Sequence, residues 1–495
     1  MVKRSLCRPF ALAPIALAVA FVGVSSPATA QPVAAVEGQG ADMPTSLDAQ
    51  PSAPGQSTLP SLPTLFQSAL EHDADLARQR YELKASERDI DKAWAQLKPQ
   101  VSASASYSYQ ESDNYYTDNP DYDPGRDPRS NDNEARFQGE TEDTLWQVSL
   151  QQPLFSMERW RSVDRAGEQV AAAELDLAVV ERDLALSVSE AYVNAFIASR
   201  KLAMLKAQRE SLDLQARQAN RAYELGVGDR INVLEAQSRL DQTIADTVQA
   251  DNELNDALSE LERLTGQRPQ FDQARLGNVN GVALADIWGD EQAWLARIGN
   301  NLDVRRATAE QAIARSDTRV RRSGYYPELN LNLSYSDRDS NDPFRESQDA
   351  RASMQLEMPI YRGGYTSANV EQGELKAMAA QKGQDNQRNL AAQEVRQRLR
   401  SLRGNTRRMQ ALRQAIESSE LFLEAAERGE QLGLRDLVDV LDARASLYDQ
   451  QIQFVETFGT SLLDRLALQS AVGALSSEDL LATMDLLARI HRQDG

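Results

Sequence analysis

The chain has 495 residues with 74 acidic and 54 basic side chains, which gives a formal net charge of −20. An acidic balance of this size excludes general nucleic-acid binding, which requires a basic surface. The two histidines, His72 and His491, lie far apart, and the sequence has no phosphate-loop spacing. The sequence therefore predicts neither an enzyme nor a protein with a bound metal or cofactor.

Residues 1–30 have the pattern of a secretory signal peptide. Basic residues precede an apolar run, and Ala28-Thr29-Ala30 forms a small-residue cleavage site. The one cysteine, Cys7, lies before the apolar run, whereas an acylated cysteine lies directly after it. We therefore expect an exported chain with a cleaved signal and no lipid anchor, and a retained N-terminal anchor is the alternative.

The segment after the signal changes from linker to helix to strand. Residues 31–60 are rich in Ala, Pro, Gly and Ser, which predicts a flexible linker. Apolar residues then recur at helical spacing from residue 61 to Pro99. Beyond Pro99 the period becomes two, which predicts a strand pair over 100–153 around an acidic loop at 111–143.

A long helical hairpin follows the strand pair. Residues 156–225 contain no proline, and their apolar positions recur every seven residues. That pattern predicts a helix of about 100 Å that packs in a coiled-coil manner. The glycines near residues 226–230 predict the tip of the hairpin.

The same order of patterns occurs a second time. A second strand pair is predicted over 327–359 around a polar loop at 337–349, and a second hairpin tip near 433–437. An internal duplication explains this repetition better than chance similarity. The predicted domains are therefore a first repeat, a second repeat and a C-terminal tail, at residues 61–270, 271–475 and 476–495.

The predicted strands require association of several copies if they cross a membrane. Four strands per chain cannot close into a barrel, and open edges in lipid would leave backbone groups without hydrogen bonds. Three copies would supply twelve strands, although closure alone also allows other multiples. The predicted fold class is thus an internally duplicated α+β membrane protein. In it, a trimeric twelve-stranded β-barrel continues into a long α-helical coiled-coil barrel.

On these features the sequence resembles the TolC family of outer-membrane efflux and secretion channels. The resemblance covers residues 61–475 and rests on the duplicated order, on Pro359-Ile360-Tyr361 at a strand-to-helix junction, and on the segment LVDVLDA at 437–443. It implies a homotrimer in outer-membrane lipid, with helices that extend into the periplasm. A periplasmic adaptor and an inner-membrane pump are the implied partners.

The function implied by the resemblance is that of an exit duct in a tripartite efflux or type I secretion system. Such a duct conducts substrates passively from the pump across the periplasm and the outer membrane. The sequence does not distinguish drug-like cargo from secreted proteins. The alternative is a periplasmic coiled-coil adaptor, or a structural protein of an envelope-spanning assembly, but neither explains two matched strand pairs.

The resemblance assigns roles to residues at the two hairpin tips. Asp439 and Asp442 match aspartates that line the closed aperture, where a trimer would form rings of carboxylates that attract cations. A solvated helix face is the alternative interpretation of these two residues. The tips implied to dock the adaptor comprise Gly226, Val227, Gly228, Gly433 and Leu434.

The resemblance also implies a latch that holds the two tips together in the closed state. Arg435 matches the family's arginine, but Asn232 stands at the aspartate position and Glu430 at the tyrosine position. Asn232 carries no charge, and hydrogen bonds between charged groups are the stronger kind. The sequence offers Glu430 or Asp229 as other partners for Arg435.

Overall fold

The computed structural model describes residues 59–116, 136–271, 289–341 and 345–491, without the side chains of 112–116, 136–140 and 489–491. The predicted signal peptide and almost all of the predicted linker lie outside these residues, as does the middle of the acidic loop. The elements, in chain order, are α1 (Leu62–His72), α2 (Ala74–Ala95), β1 (Gln100–Tyr116), β2 (Arg136–Ser156), α3 (Met157–Glu224), α4 (Arg230–Thr265), α5 (Glu291–Leu295), α6 (Leu302–Arg322), β3 (Glu328–Ser340), β4 (Ser347–Glu357), α7 (Tyr365–Gln431), α8 (Leu437–Ala471) and α9 (Ser477–His491).

The helical stretch predicted from residue 61 to Pro99 is divided into α1 and α2. The break lies at Asp73, whose backbone is extended. The Leu76 amide donates to Asp73 Oδ1 at 2.7 Å, so this side chain caps the first turn of α2. The apolar residues keep their spacing across the break because α1 and α2 bury the same side. The sequence pattern therefore does not show where α1 ends.

The predicted strands form one antiparallel sheet in the order β1-β2-β3-β4. The strands are longer than the sequence indicates, because β1 runs to Tyr116 and β2 begins at Arg136. The predicted loop boundaries at 111–143 were therefore wrong, and those of the loop at 337–349 were wrong for the same reason. The ladder of hydrogen bonds continues where most residues are polar in sequence, so no alternation of apolar residues marks it.

The register of the sheet separates an apolar face from a polar face. Leu150 lies opposite Val101 on one side and opposite Leu333 on the other. One position along, Ser149 lies opposite Ser102 and opposite Ser334. The hydroxyl oxygens of Ser102 and Ser149 are 2.8 Å apart. Because side chains alternate along each strand, this part of the sheet has one face suited to lipid and one suited to water.

The helices repeat in two matched sets. The order α2, β1, β2, α3, α4 recurs as α6, β3, β4, α7, α8. Helices α3 and α7 have 68 and 67 residues, so each is about 100 Å long, as predicted for the first. Within the described residues, no helix is both long and apolar enough to cross a membrane.

The main hydrophobic core gathers helices from both repeats. Phe196 of α3 and Phe458 of α8 are fully buried there, together with residues of α1 and α4. The segment predicted as a C-terminal tail contains α9, whose Leu480 and Leu487 join this core. Both hairpins therefore share one core, which lies along their helices and away from the two tips.

Candidate functional site

The turn between α3 and α4 is the tip of the first hairpin. Gly226 has a φ of 73°, in the left-handed region that favours glycine. The amides of Val227 and Gly228 both donate to the Ala222 carbonyl oxygen at 3.0 Å. These bonds satisfy the end of α3, and Asp229 Oδ1 then accepts from the Ile231 amide at 3.2 Å to begin α4.

The second tip has the same backbone with a different distribution of glycine. Gly433 has a φ of 68°, and the amides of Leu434 and Arg435 donate to the Gly429 carbonyl oxygen at 2.8 and 3.2 Å. A Cβ at Gly429 would lie 2.8 Å from Arg435 Cγ. Glycine at 429 therefore leaves room for Arg435.

In the first tip, the glycine stands at the other position of the same close contact. A Cβ at Gly228 would lie 2.9 Å from both the backbone and the Cβ of Ala222. Gly228 and Ala222 occupy the places that Arg435 and Gly429 hold in the second tip. One member of each pair is glycine, and only the second tip carries a charged side chain there.

Both tips expose apolar side chains at matching places. Val227 and Leu434 are 81% and 77% exposed, although side chains of this kind are usually buried. Leu225 and Leu432, just before the two glycines, are also exposed. The four side chains give each turn an apolar surface that no other part of the described chain covers.

The first predicted aperture residue, Asp439, lies on the first turn of α8. Its Oδ2 accepts from Arg435 Nη1 at 3.1 Å, one helical turn away. Both side chains are about half exposed, so this pair contributes little to stability. Arg435 thus pairs with Asp439, and neither Glu430 nor Asp229 takes the place that the sequence offered them.

The second predicted aperture residue, Asp442, is paired across the two hairpins. Arg239 of α4 donates through Nη2 to Asp442 Oδ1 at 2.5 Å and through Nε to Glu235 Oε1 at 2.9 Å. The hydrogen bond that Arg239 donates to Glu235 and the charge of Asp442 hold the pKa of Arg239 above its ordinary value. Arg239 therefore links a carboxylate of its own helix to one on the other hairpin.

The two hairpins also meet through packing and a second arginine. Leu441 of α8 is buried among Leu212 of α3 and Ala236 and Leu240 of α4. Arg444 donates to the hydroxyl of Ser211 on α3 and to the carboxylate of Glu427 on α7. The tip of the second hairpin therefore rests on the first through apolar contact flanked by polar bonds.

One heptad farther from the tips, the same two helices carry a pair of like charges. Burial and then the neighbouring charge of Asp246 raise the pKa of Asp449 above its ordinary value. Asp246 and Asp449 stand seven residues beyond Arg239 and Asp442, respectively. Attraction between α4 and α8 near the tips therefore gives way to repulsion farther along.

The single chain does not assemble the predicted latch. Across the part of the chain that the structure describes, Asn232 and Glu430 make no side-chain hydrogen bond or ion pair, so the latch stays a prediction. Sequence reasoning missed Arg239 and Arg444, because their partners are distant in sequence and no local motif marks them. No group of three or more His, Cys, Asp or Glu within the described residues could hold a metal ion.

Comparison with known proteins shows which family has this architecture. The model of the outer membrane efflux protein family matches residues 65–267 and 296–474, which include both hairpins. The chain belongs to the outer membrane efflux protein family.

Individual relatives cover most of the chain. The outer membrane protein TolC of Vibrio cholerae is 25% identical over 85% of this chain and 92% of its own length. The alkaline protease secretion protein AprF of Pseudomonas aeruginosa is 26% identical over 67% of this chain and 70% of its own length. The crystal structure of CusC aligns with 83% of this chain and 92% of that chain at a TM-score of 0.69 and 18% identity, which shows the shared fold.

Membership of the outer membrane efflux protein family confirms several predictions from the sequence. The chain is a transport protein of the outer membrane that extends into the periplasm, and it serves as an exit duct for efflux or type I secretion. The predicted homotrimer, with a periplasmic adaptor and an inner-membrane pump as partners, is also confirmed. The roles of individual tip residues are not decided by the family.

Proposed function

We propose that the mouth of this duct is formed by the hairpin tips, with Asp439 and Asp442 as its selectivity ring. The observation that carries the proposal is their position on the first two turns of α8, directly behind an exposed turn. In a trimer each position supplies three carboxylates. Rings of carboxylates concentrate cations and repel anions, as charged rings do in other pores.

The sheet supports the passage of water-soluble cargo at the other end of the duct. Strands β1 and β4 are the two edges of the four-stranded sheet. Pairing of β4 with β1 of the next copy satisfies both edges, and three copies close into twelve strands. The serine-rich face then lines the passage and the apolar face meets lipid. The duct conducts passively, because the family is one of transport channels and the pump supplies the energy.

The exposed turns at the tips are the docking sites for the adaptor. Val227 and Leu434 present apolar side chains, and the glycines Gly226, Gly228 and Gly433 keep the turns narrow. Burial of such side chains against a partner removes apolar surface from water, which favours association. Both tips of each chain take part, because the apolar positions match in the two repeats.

The names of the family and of one relative indicate two classes of cargo. The family name refers to efflux, and the name of AprF refers to secretion of a protease by that protein. A duct with an acidic mouth and a passage lined by serine and asparagine suits both kinds of cargo. We therefore propose a role in efflux or in type I secretion without a choice between them.

The ring is tested by single-channel recording of the purified protein in a planar bilayer, with La³⁺ added on the helical side. The wild type should form stable pores that La³⁺ blocks from that side. Asp439→Ala plus Asp442→Ala should abolish the block. The control, Asp251→Ala plus Asp256→Ala, removes two exposed carboxylates of α4 far from the tip and should leave the block intact. Unchanged block in the Asp439 and Asp442 variant would contradict the assignment of the ring.

A further inference from the structure

The two aspartates of the proposed ring are neutralised by arginines in different parts of the chain. Arg435 reaches Asp439 from the preceding turn of the same hairpin, so this pair moves as a unit with the second tip. Arg239 reaches Asp442 from the other hairpin. Separation of the two hairpins must therefore break the second pair and can leave the first intact.

The contact that brings Arg239 to Asp442 depends on packing between the hairpins. Leu441 lies against Ala236 and Leu240, and the buried fraction of these side chains exceeds nine tenths. Asp442 follows Leu441 directly, and Arg239 precedes Leu240, so the ion pair flanks this apolar contact. If this apolar contact opens, Arg239 Nη2 moves away from Asp442 Oδ1, which now lies at 2.5 Å, and the ion pair breaks.

Arg239 keeps a partner when the hairpins separate, whereas Asp442 does not. Glu235 lies one turn before Arg239 on α4 and accepts from its Nε atom at 2.9 Å. The only ion pair that the described residues provide for Asp442 is the one with Arg239. The charge released on separation is therefore a negative one on α8, at the proposed ring.

Like charges beyond this ion pair oppose contact between the two hairpins. Asp246 and Asp449 lie one heptad farther along the same two helices, and like charges at such positions repel. Among the described residues, the attraction between charges of α4 and α8 comes from the ion pair of Arg239 and Asp442. Its loss changes both the separation of the hairpins and the charge at the mouth.

We propose that Arg239 is a specificity-determining residue that couples the charge of the mouth to the separation of the hairpins. The inference rests on the proposed ring of Asp439 and Asp442. With the hairpins together, Asp439 and Asp442 each contact an arginine, and Arg239 is shared between Asp442 and Glu235. With the hairpins apart, each chain gains one uncompensated carboxylate, and the trimer gains three. The duct therefore becomes more selective for cationic groups as it opens, which favours cargo that presents a positive charge to the mouth.

The test compares Arg239→Gln with Arg263→Gln in the planar-bilayer assay at low salt. Both substitutions remove one arginine of α4 that pairs with a glutamate of that helix, but Arg263 pairs with Glu260 near the other end. In Arg239→Gln, La³⁺ should block at about tenfold lower concentration, because the loss of three positive charges leaves the Asp442 carboxylates uncompensated within about one Debye length. The preference for K⁺ over Cl⁻, measured as a reversal potential, should rise as well. Arg263→Gln should match the wild type in both.

Further variants separate a charge effect from a change of structure. Arg239→Lys should keep both values close to wild type, because lysine keeps a positive charge beside Asp442. Equal La³⁺ block in Arg239→Gln and wild type, while the aspartate variants lose the block, would overturn the role of Arg239 and leave the ring in place. Block that survives removal of Asp439 and Asp442 would overturn the ring, and this inference with it.

Discussion

At the scale of single residues, the two hairpin tips differ by an exchange of glycine between two places. Gly228 faces Ala222 in the first tip, and Arg435 faces Gly429 in the second. The exchange lets the second tip hold an arginine next to Asp439 without a change of backbone. The same turn thus carries an arginine at this position in the second tip and a glycine in the first, and duplication supplied both.

The exchange predicts that Gly429→Ala destabilises the second tip. The new methyl group would lie 2.8 Å from Arg435 Cγ, so the arginine must move, at a cost of about 1–2 kcal/mol. Gly404→Ala is the matched control, because that site on α7 has no atom within 4 Å of an added Cβ. There the better helix propensity of alanine should stabilise by about 0.5–1 kcal/mol. Melting temperatures that rise equally in both variants would contradict the steric account.

A second prediction at this scale concerns Asp449 and the dependence of stability on pH. A carboxyl whose pKa is raised in the folded state binds its proton more tightly there than in the unfolded chain. The folded state therefore gains stability as the pH falls through the raised pKa, and at neutral pH it carries the repulsion from Asp246. Asp449→Asn should melt at a higher temperature than wild type at pH 7. The difference should shrink as the pH falls toward 3.8, the ordinary value.

Thermal melts at a series of pH values check this prediction, with Asp251→Asn as the control because that carboxylate is exposed on α4. A constant difference between Asp449→Asn and wild type from pH 7 to pH 4 would show that repulsion between the two carboxylates is absent. The difference at pH 7 should be small, because Asp449 is exposed to water, which screens the interaction.

At the scale of elements, the long helices are determined largely by their sequence. A proline-free stretch with apolar residues every seventh position predicted α3 to within about one residue at each end. The strands were predicted in number and order, but their outer ends were not, since no alternation of apolar and polar residues extends to those ends. The break at Asp73 and the helix α9 were also missed, because a capping aspartate and a short amphipathic segment have weak local signals.

Packing between elements gives a prediction that the sequence alone does not. Gly459 of α8 lies so close to α3 that an added Cβ would be 2.3 Å from Ile197 Cδ1 and 3.1 Å from Val193 Cγ1. Gly459→Ala should therefore lower stability by about 1–3 kcal/mol, because overpacking forces helices or rotamers to shift. Chemical denaturation of the solubilised protein measures the loss.

A double-mutant cycle tests whether the loss comes from this contact. Ile197→Ala removes the nearest atoms and creates a cavity, so alone it should also destabilise. The combination of Gly459→Ala with Ile197→Ala should be more stable than the sum of the two losses indicates. Strict additivity would show that the two positions do not touch, and that the close approach of α8 to α3 is not as described.

At the scale of the whole molecule, the sequence predicts the fold, but it does not predict the contacts between the two hairpins. The duplicated order of strands and helices predicted the class, the number of strands and the positions of both tips. The contacts at the mouth join residues far apart in sequence, such as Arg239 and Asp442, which are separated by 203 positions. No pattern in a single chain marks such a pair, so it emerged only when the two hairpins were placed side by side.

The proposed duct requires that one face of the sheet lines a water-filled passage and that the other face meets lipid. The one cysteine, Cys7, lies in the predicted signal peptide, so single cysteines can be introduced into an otherwise thiol-free mature chain. The most direct measurement is the rate at which a membrane-impermeant maleimide labels such cysteines in outer-membrane vesicles. The variants are Ser104→Cys and Ser334→Cys on the polar face, and Ala103→Cys and Ala352→Cys on the apolar face.

We expect rapid labelling at positions 104 and 334, because they face the passage, and protection at 103 and 352, because lipid covers them. In urea-unfolded protein all four should react alike, which controls for intrinsic reactivity. Equal and rapid labelling of both faces in intact vesicles would mean that water surrounds the sheet. That result would contradict the membrane-spanning duct and favour a periplasmic role for the chain.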